Sequence, residues 1–327
     1  MKQFSLNWWW WLFALGSALG PLAAQAQGKL RFDPLVWEEV HRDDFNGTQL
    51  DTTLWQTFVP YGGKYFGWGS EWYDSTPDRP LVTVAGGAAH LRAVRWHDEN
   101  GQLINLVDST NPKRTVRYRS GLLLGKRDGP LHEEGFGAWE ARLKLPVESG
   151  AWPAFWLFSG PTEIDILDGV NYDADVAKPG GILNNVIQNN SPPPSYADEC
   201  RYEPWDTPEW VTHFNDDYHV YTLVWTPELV AFFLDGREIR TVPKSVVGTT
   251  GNVAHDLMVS MQTYVWADAD ESFALDVDYV RVLKPRRLPS DGTPGVRDYS
   301  VAMSTYEVPD PTSRVGRLLR QLGRYLW

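Results

Sequence analysis

The sequence predicts an all-β fold of two packed antiparallel sheets, and three observations carry that reading. No segment between residues 30 and 285 sustains a long apolar period of about 3.6, so there is no amphipathic helical stripe to bury. Turn-forming residues are abundant, with 28 Gly and 23 Pro in 327 residues. Period-2 alternation is explicit in Gly137-Ala-Trp-Glu-Ala-Arg-Leu-Lys-Leu-Pro146, where Trp139, Ala141, Leu143 and Leu145 alternate with Glu140, Arg142 and Lys144. Sandwiches of about 200–250 residues commonly form one domain, so residues 27–285 are read as a single unit.

Along the chain, the first segment reads as an export signal. Lys2 precedes an apolar stretch from Trp8 to Leu19, and Ala24-Gln-Ala26 supplies a small-x-small cleavage pattern, so residues 1–26 are expected to be removed. The stretch is too short for a membrane span, so no integral span is expected after cleavage, and the destination is periplasmic or extracellular. The formal charge of −12 argues against nucleic acid or an anionic membrane as partner. A single cysteine, Cys200, has no intramolecular partner for a disulfide and is read as a structural thiol.

The next informative elements lie in the middle of the chain. Gly150-Ala-Trp-Pro-Ala-Phe-Trp-Leu-Phe158 is a strand entered through a Trp-Pro break, followed by Pro161-Thr-Glu-Ile-Asp-Ile-Leu-Asp-Gly169. Alternation in the latter sends Glu163 and Asp165 to one strand face and Ile164 and Ile166 to the other. A β-bulge would then bring Asp168 round to the carboxylate face and leave Leu167 in the core. Three carboxylates that close cannot all ionise freely, which is how a general acid and a nucleophile are made from similar groups. A solvated or metal-binding acidic edge is the plainer alternative. Further on, Asp235-Gly236 between Ala231–Leu234 and Arg237–Val242 has the composition of a type I′ hairpin.

The chain resembles glycoside hydrolase family 16 at Ser120-Gly121, the Trp139 to Leu145 strand, Trp152-Pro-Ala-Phe-Trp156 and Glu163-Ile-Asp-Ile-Leu-Asp168. The likeness extends through Asp43-Asp-Phe-Asn-Gly47 with Leu50–Trp55, Trp68-Gly-Ser-Glu-Trp-Tyr73, Tyr218–Pro227, Leu234-Asp-Gly236 and Leu275–Val282. It implies a two-sheet antiparallel β-jelly-roll sandwich, concanavalin A-like, over roughly residues 32 to 285. It further implies an endo-acting, retaining glycosidase on internal β-linkages of a polysaccharide, of β-glucan or marine galactan type, working as a monomer. Carried over, Glu163 is the nucleophile, Asp168 the acid/base and Asp165 the residue that orients Glu163.

Two departures from the family stand out. Its motif ends in Glu where this chain has Asp168, and Leu122 stands where an arginine commonly follows Ser-Gly. The first keeps open a non-catalytic or weakly active glycan-binding jelly-roll, and a transglycosylase is a separate alternative that the sequence does not distinguish from a hydrolase. Trp68, Trp72, Trp152, Trp156 and Trp266 fall where the family lines its groove and are candidate sugar platforms. Glu71 is a candidate hydroxyl acceptor, whereas Trp139 and Trp225 are read as core. No cofactor is required for the chemistry. Asp278 matches a position that binds structural calcium in some members, and His213, His219 and His255 are read as structural or surface residues. Specificity is expected from loops around 59 to 80 and 171 to 215.

After residue 285 a Pro-rich linker leads to a short basic helix from Ser313 to Trp327, so residues 286–327 are read as linker and tail. The export reading is directly checkable: N-terminal sequencing of secreted protein is expected to start at or near Gln27, and a native product retaining Met1 would refute it.

Overall fold

A computed structural model describes residues 37–59, 69–73, 80–107, 114–132, 136–159, 162–170, 181–188, 195–202, 214–215, 217–227, 229–243, 255–264, 267 and 272–285. The export segment, the linker and basic tail, and Trp68, His213 and Trp266 lie outside the described residues.

Every regular element described is a strand. In chain order these are β1 (Trp37–Asp43), β2 (Trp55–Gln56), β3 (Glu71–Tyr73), β4 (Val82–Ala85), β5 (Ala88–Arg95), β6 (Leu106–Val107), β7 (Thr115–Val116), β8 (Tyr118–Ser120), β9 (Leu122–Gly125) and β10 (Gly137–Lys144). They continue with β11 (Ala151–Phe158), β12 (Thr162–Val170), β13 (Gly181–Gln188), β14 (Ser195–Tyr202), β15 (His219–Trp225), β16 (Leu229–Leu234), β17 (Arg237–Pro243), β18 (Asp256–Thr263) and β19 (Phe273–Pro285). The larger sheet runs β17-β16-β15-β10-β19-β5-β8-β3, with β1 on β19 and β4 on β5. The smaller runs β14-β13-β12-β11-β18-β9-β2. This is the two-sheet sandwich that the alternation and turn composition predict, with the jelly-roll architecture that the family resemblance implies.

The core forms where the two inner faces meet. Leu123, Phe155, Leu157, Ile164, Leu257, Val259 and Met261 come from the smaller sheet; Leu91, Trp139, Leu143, Leu223, Phe232, Phe273 and Val277 come from the larger. Trp139 and Trp225 are fully buried there with ring centroids 6.3 Å apart, as expected of aromatic residues in alternating strands. Burial of such side chains stabilises the fold by roughly 1.5–3 kcal/mol each, and with a single cysteine this packing has no disulfide to help it.

Asp235 and Gly236 both take positive φ, 50° and 71°, the signature of the type I′ turn between β16 and β17. Glycine adopts that conformation without a Cβ penalty. Asp235 tolerates it because its own side chain is anchored, accepting from Val220 N at 2.9 Å and meeting His219 Nδ1 at 2.8 Å.

The outer face of the larger sheet is less solvated than its polar sequence suggests. Glu140 is 3 % exposed and accepts hydrogen bonds from Thr222 Oγ1, Tyr279 OH and Arg281 Nε at 2.9, 2.8 and 2.6 Å. Removing one member of a buried pair strands its partner, whereas an exposed pair contributes little. Glu140→Leu is therefore expected to cost about 3 kcal/mol in denaturant unfolding. Arg142→Leu, whose pair with Asp278 is about one-third exposed, should cost ~1 kcal/mol or less.

Candidate active site

The site begins with the register of β12. Against β11, Phe155 pairs with Leu167 and the next residue, Trp156, pairs with Asp165, leaving Ile166 as the extra residue of a β-bulge. Against β13, Asp165 faces Asn185 and Asp168 faces Leu183, the same irregularity seen from the other side. Ile164, Ile166 and Leu167 consequently all lie in the inter-sheet core. Asp165 and Asp168 sit on the outer-face rows of Trp156 and Ala154, and Glu163 on the row of Phe158.

A bulge leaves a backbone carbonyl without a ladder partner, and here a core residue supplies one. Asn184 on β13, 1 % exposed, donates from Nδ2 to the Ile166 carbonyl at 2.6 Å. Its neighbour Asn185 turns to the outer face and donates to Asp165 Oδ2 at 2.9 Å. Adjacent Asn residues inside a strand are unusual because Asn is depleted from strands. That oddity was the available signal for both, and the family motif does not contain it.

The three carboxylates occupy different surroundings. Asp165 is 5 % exposed, and its carboxyl is held well above the ordinary Asp range, first by burial and then by the negative Glu163 beside it. Asp165 also shares a hydrogen bond with Glu163. Kept protonated, it can be the donor in that bond. Glu163 and Asp168 are each half-buried. Trp152 donates its indole N–H to Asp168 Oδ1.

Beside these groups, on the same sheet face, Leu122, Leu124, Ala154, Met258 and Trp156 form an apolar floor with Tyr73 packed on it. Trp156 is part of this floor, 5 % exposed with Nε1 bonded to Ser260 Oγ at 3.1 Å, so it offers little surface as a sugar platform. Trp152 is half-buried and stacks on Tyr264 at 4.7 Å with planes 13° apart. Leu122, fully buried in the floor, adds no polar group where an arginine was looked for.

Two candidate site residues, Glu71 and Trp72, lie on β3. Alternation puts Glu71 and Tyr73 on one side of this strand and Trp72 on the other. Tyr73 packs on the floor, whereas Trp72 meets Trp96 edge-on at 4.8 Å, away from the carboxylate row. Glu71 is 0 % exposed, so it presents no oxygen to a ligand in solvent. Its Oε2 accepts from Thr263 N at 3.0 Å and Thr263 Oγ1 at 3.3 Å, and Arg114 lies 3.9 Å from Oε1. Glu71 thereby ties β3 of the larger sheet to the end of β18 in the smaller. Gly69 makes room for it: a Cβ there would stand 2.0 Å from both Glu71 Oε2 and the Thr263 carbonyl.

Asp278, the candidate calcium residue, lies on β19. Arg142 donates to its Oδ2 at 2.6 Å, so a cation already neutralises the carboxylate, and among the described residues no three His, Cys, Asp or Glu side chains converge to hold a metal. His219 pairs with Asp235, and His255 is 1 % exposed against Trp225; neither joins the carboxylate row. Cys200 lies on β14 opposite Asn184 in register.

Fold and site together define a β-jelly-roll with a bulged, carboxylate-bearing strand on the outer face of its smaller sheet. Residues 131–281 match the sequence profile of the glycosyl hydrolases family 16. Over that segment the chain is similar to this family. It is 28 % identical over 217 residues to glucan endo-1,3-beta-glucosidase A1 of Niallia circulans, covering 62 % of this chain and 28 % of that protein. It is 25 % identical over 270 residues to keratan-sulfate endo-1,4-beta-galactosidase of Sphingobacterium multivorum, covering 76 % of this chain and 55 % of that protein. The chain thus spans less than two-thirds of these relatives. The catalytic domain of an endo-1,3-beta-glucanase (laminarinase) from Thermotoga petrophila superposes with a TM-score of 0.58 at 18 % identity, over 77 % of this chain and 99 % of that one.

Burial pushes Glu71 up from 4.5 to about 7, against the pull of Arg114 and the Thr263 hydrogen bonds. Between those values the folded protein keeps a proton that the unfolded chain has released, so stability falls as pH rises through this window, by up to ~3 kcal/mol. Glu71→Gln cannot ionise and still offers Thr263 an acceptor. Its melting temperature is expected to fall less than that of the native protein between about pH 5 and about pH 8. An identical slope would show that Glu71 stays charged in the fold.

Proposed function

We propose that this protein is an exported, endo-acting glycosidase that cleaves internal β-linkages of a polysaccharide by a retaining double displacement. One observation carries the reading: the bulge sets Glu163, Asp165 and Asp168 on one sheet face, with the middle carboxyl buried and the outer two half-buried. A neutral Asp165 orients Glu163 by hydrogen bonding and removes a competing negative charge from its side. Glu163 attacks the anomeric carbon, forming a glycosyl ester as the glycosidic C–O bond breaks, and Asp168 gives its proton to the leaving oxygen. Asp168 then takes a proton from water, which attacks the same carbon and releases Glu163.

The named relatives act on a β-1,3-glucan bond and on a β-1,4-galactosidic bond of keratan sulfate, so both glucans and galactans are substrate classes to test. Screening laminarin, lichenan, agarose, carrageenan and xyloglucan with reducing ends counted separates them. A transglycosylase would release fewer new ends than bonds broken, because a second sugar takes the place of water.

Two substitutions test the roles. Glu163→Gln is expected to abolish turnover while glycan binding stays within about threefold, because the amide keeps shape but not nucleophilicity. Asp is one methylene shorter than the Glu of the family motif, and a misplacement of about 1 Å can cost ~10²-fold in rate. Asp168→Glu is accordingly expected to raise hydrolysis of natural glycans. A fully active native enzyme impaired by Asp168→Glu would mean that the site is built around the shorter acid. Glycan binding by both forms with cleavage by neither would instead mark a binding protein.

A further inference from the structure

Trp152 lies on β11 and Asp168 on β12, two neighbouring strands. Asp168 pairs directly with Ala154, so Trp152, two residues earlier on β11, is its diagonal neighbour on the same face. Diagonal partners on one sheet face lie ~7–8 Å apart at their Cα atoms, within reach of a long aromatic side chain. The indole spans that gap and donates from Nε1 to Asp168 Oδ1. Its ring orientation is fixed from two directions. Tyr264 stacks along one face at 4.7 Å and 13°, and the Tyr264 backbone is itself pinned by its N–H to the Gly150 carbonyl at 2.9 Å. Tyr264 thus covers one of the two ring faces a sugar would use, while the N–H edge is aimed at a carboxylate.

We propose that Trp152 is a positioning residue for Asp168: its indole N–H, held by the stack on Tyr264, fixes the direction in which the short carboxyl presents its second oxygen. The inference rests on the reading of Asp168 as acid/base. A shorter side chain has fewer torsions but also less reach, so the direction of its second oxygen decides whether a proton arrives at the glycosidic bond. An N–H donor to Oδ1 lowers the basicity of that oxygen, so Oδ2 is the one that carries and delivers the proton. It also favours the ionised form between the two steps, when Asp168 must accept a proton from water. The contact therefore acts on both half-reactions, whereas a sugar platform would act on binding alone.

The test uses the full chain with Trp152→Phe, which keeps an aromatic ring for Tyr264 and removes the N–H donor. The 13C-carboxyl resonance of Asp168, assigned by its loss in Asp168→Asn, should titrate roughly one pH unit higher in Trp152→Phe than in the native protein. Hydrolysis of the preferred polysaccharide should fall about tenfold or more, with the alkaline limb of the pH–rate profile displaced upward. An aryl glycoside with an activated leaving group should lose about threefold or less, since it needs little protonation. The double variant Trp152→Phe/Asp168→Asn should be no slower than Asp168→Asn within about twofold, because both changes act through one group. An unmoved Asp168 titration in a variant with native circular dichroism overturns the proposal, and so does an equal loss on both substrates with an unmoved pH profile. A moved titration combined with unchanged hydrolysis in Asp168→Asn supports the Trp152 contact and overturns the acid/base role of Asp168.

Discussion

The site depends on one irregularity, the extra residue at Ile166, and on the hydrogen bond that satisfies it. Without the bulge, strand alternation would place Leu167 among the carboxylates and Asp168 in the core. Burying Asp168 between the sheets would carry a desolvation penalty of several kcal/mol with no partner to offset it. The Asn184 amide closes the account by donating to the Ile166 carbonyl from inside the core. The neighbouring strand thus supplies both sides of the device: Asn184 inward to the bulge and Asn185 outward to Asp165.

Much of this was legible in the sequence because it is local. Alternation in β10 and β12, the switch of face between Asp165 and Asp168, and the Asp235-Gly236 turn each depend on residues within a few positions of one another. Trp139 and Trp225 were legible as core for the same reason. Long-range partners decided what could not be read. Glu71 looks like a surface carboxylate between Ser70 and Trp72 until Thr263, 192 residues later in the chain, closes over it. Trp72 shares the same short strand, so the burial of Glu71 and Tyr73 on one side turns Trp72 to the other. The roles of Tyr264, Asn184 and Asn185 likewise belong to pairings between strands, which no single stretch of sequence declares.

A second theme is the way negative charge is accommodated. With a formal charge of −12, the chain has cations to spare for only some of its acids. On the outer face of the larger sheet Glu140 is matched by Arg281 and Asp278 by Arg142. Asp165 follows a different rule. It is buried, its hydrogen-bond donor is the neutral Asn185 amide, and the group beside it is another carboxylate. Desolvation then favours the protonated form. A guanidinium at that point would hold Asp165 ionised and draw Glu163 away from the sugar.

Neutralisation by burial also explains why the floor is apolar. Leu122, Leu124, Ala154 and Met258 flank the carboxylates on the same sheet face and keep water from that side, and Trp156 and Tyr73 complete the patch. A low-dielectric floor raises the cost of charge on Asp165, and it strengthens each remaining interaction at the surface, including the Trp152 hydrogen bond to Asp168. The absence of an arginine after Ser120-Gly121 fits this arrangement: Leu122 lies in the row of Ser260, Ala154 and Asp168. A cation in that row would stabilise the ionised form of Asp168 throughout the cycle and oppose its service as a proton donor. A neutral N–H donor from Trp152 directs the same carboxylate without adding charge, and it favours the ionised form less than a guanidinium would.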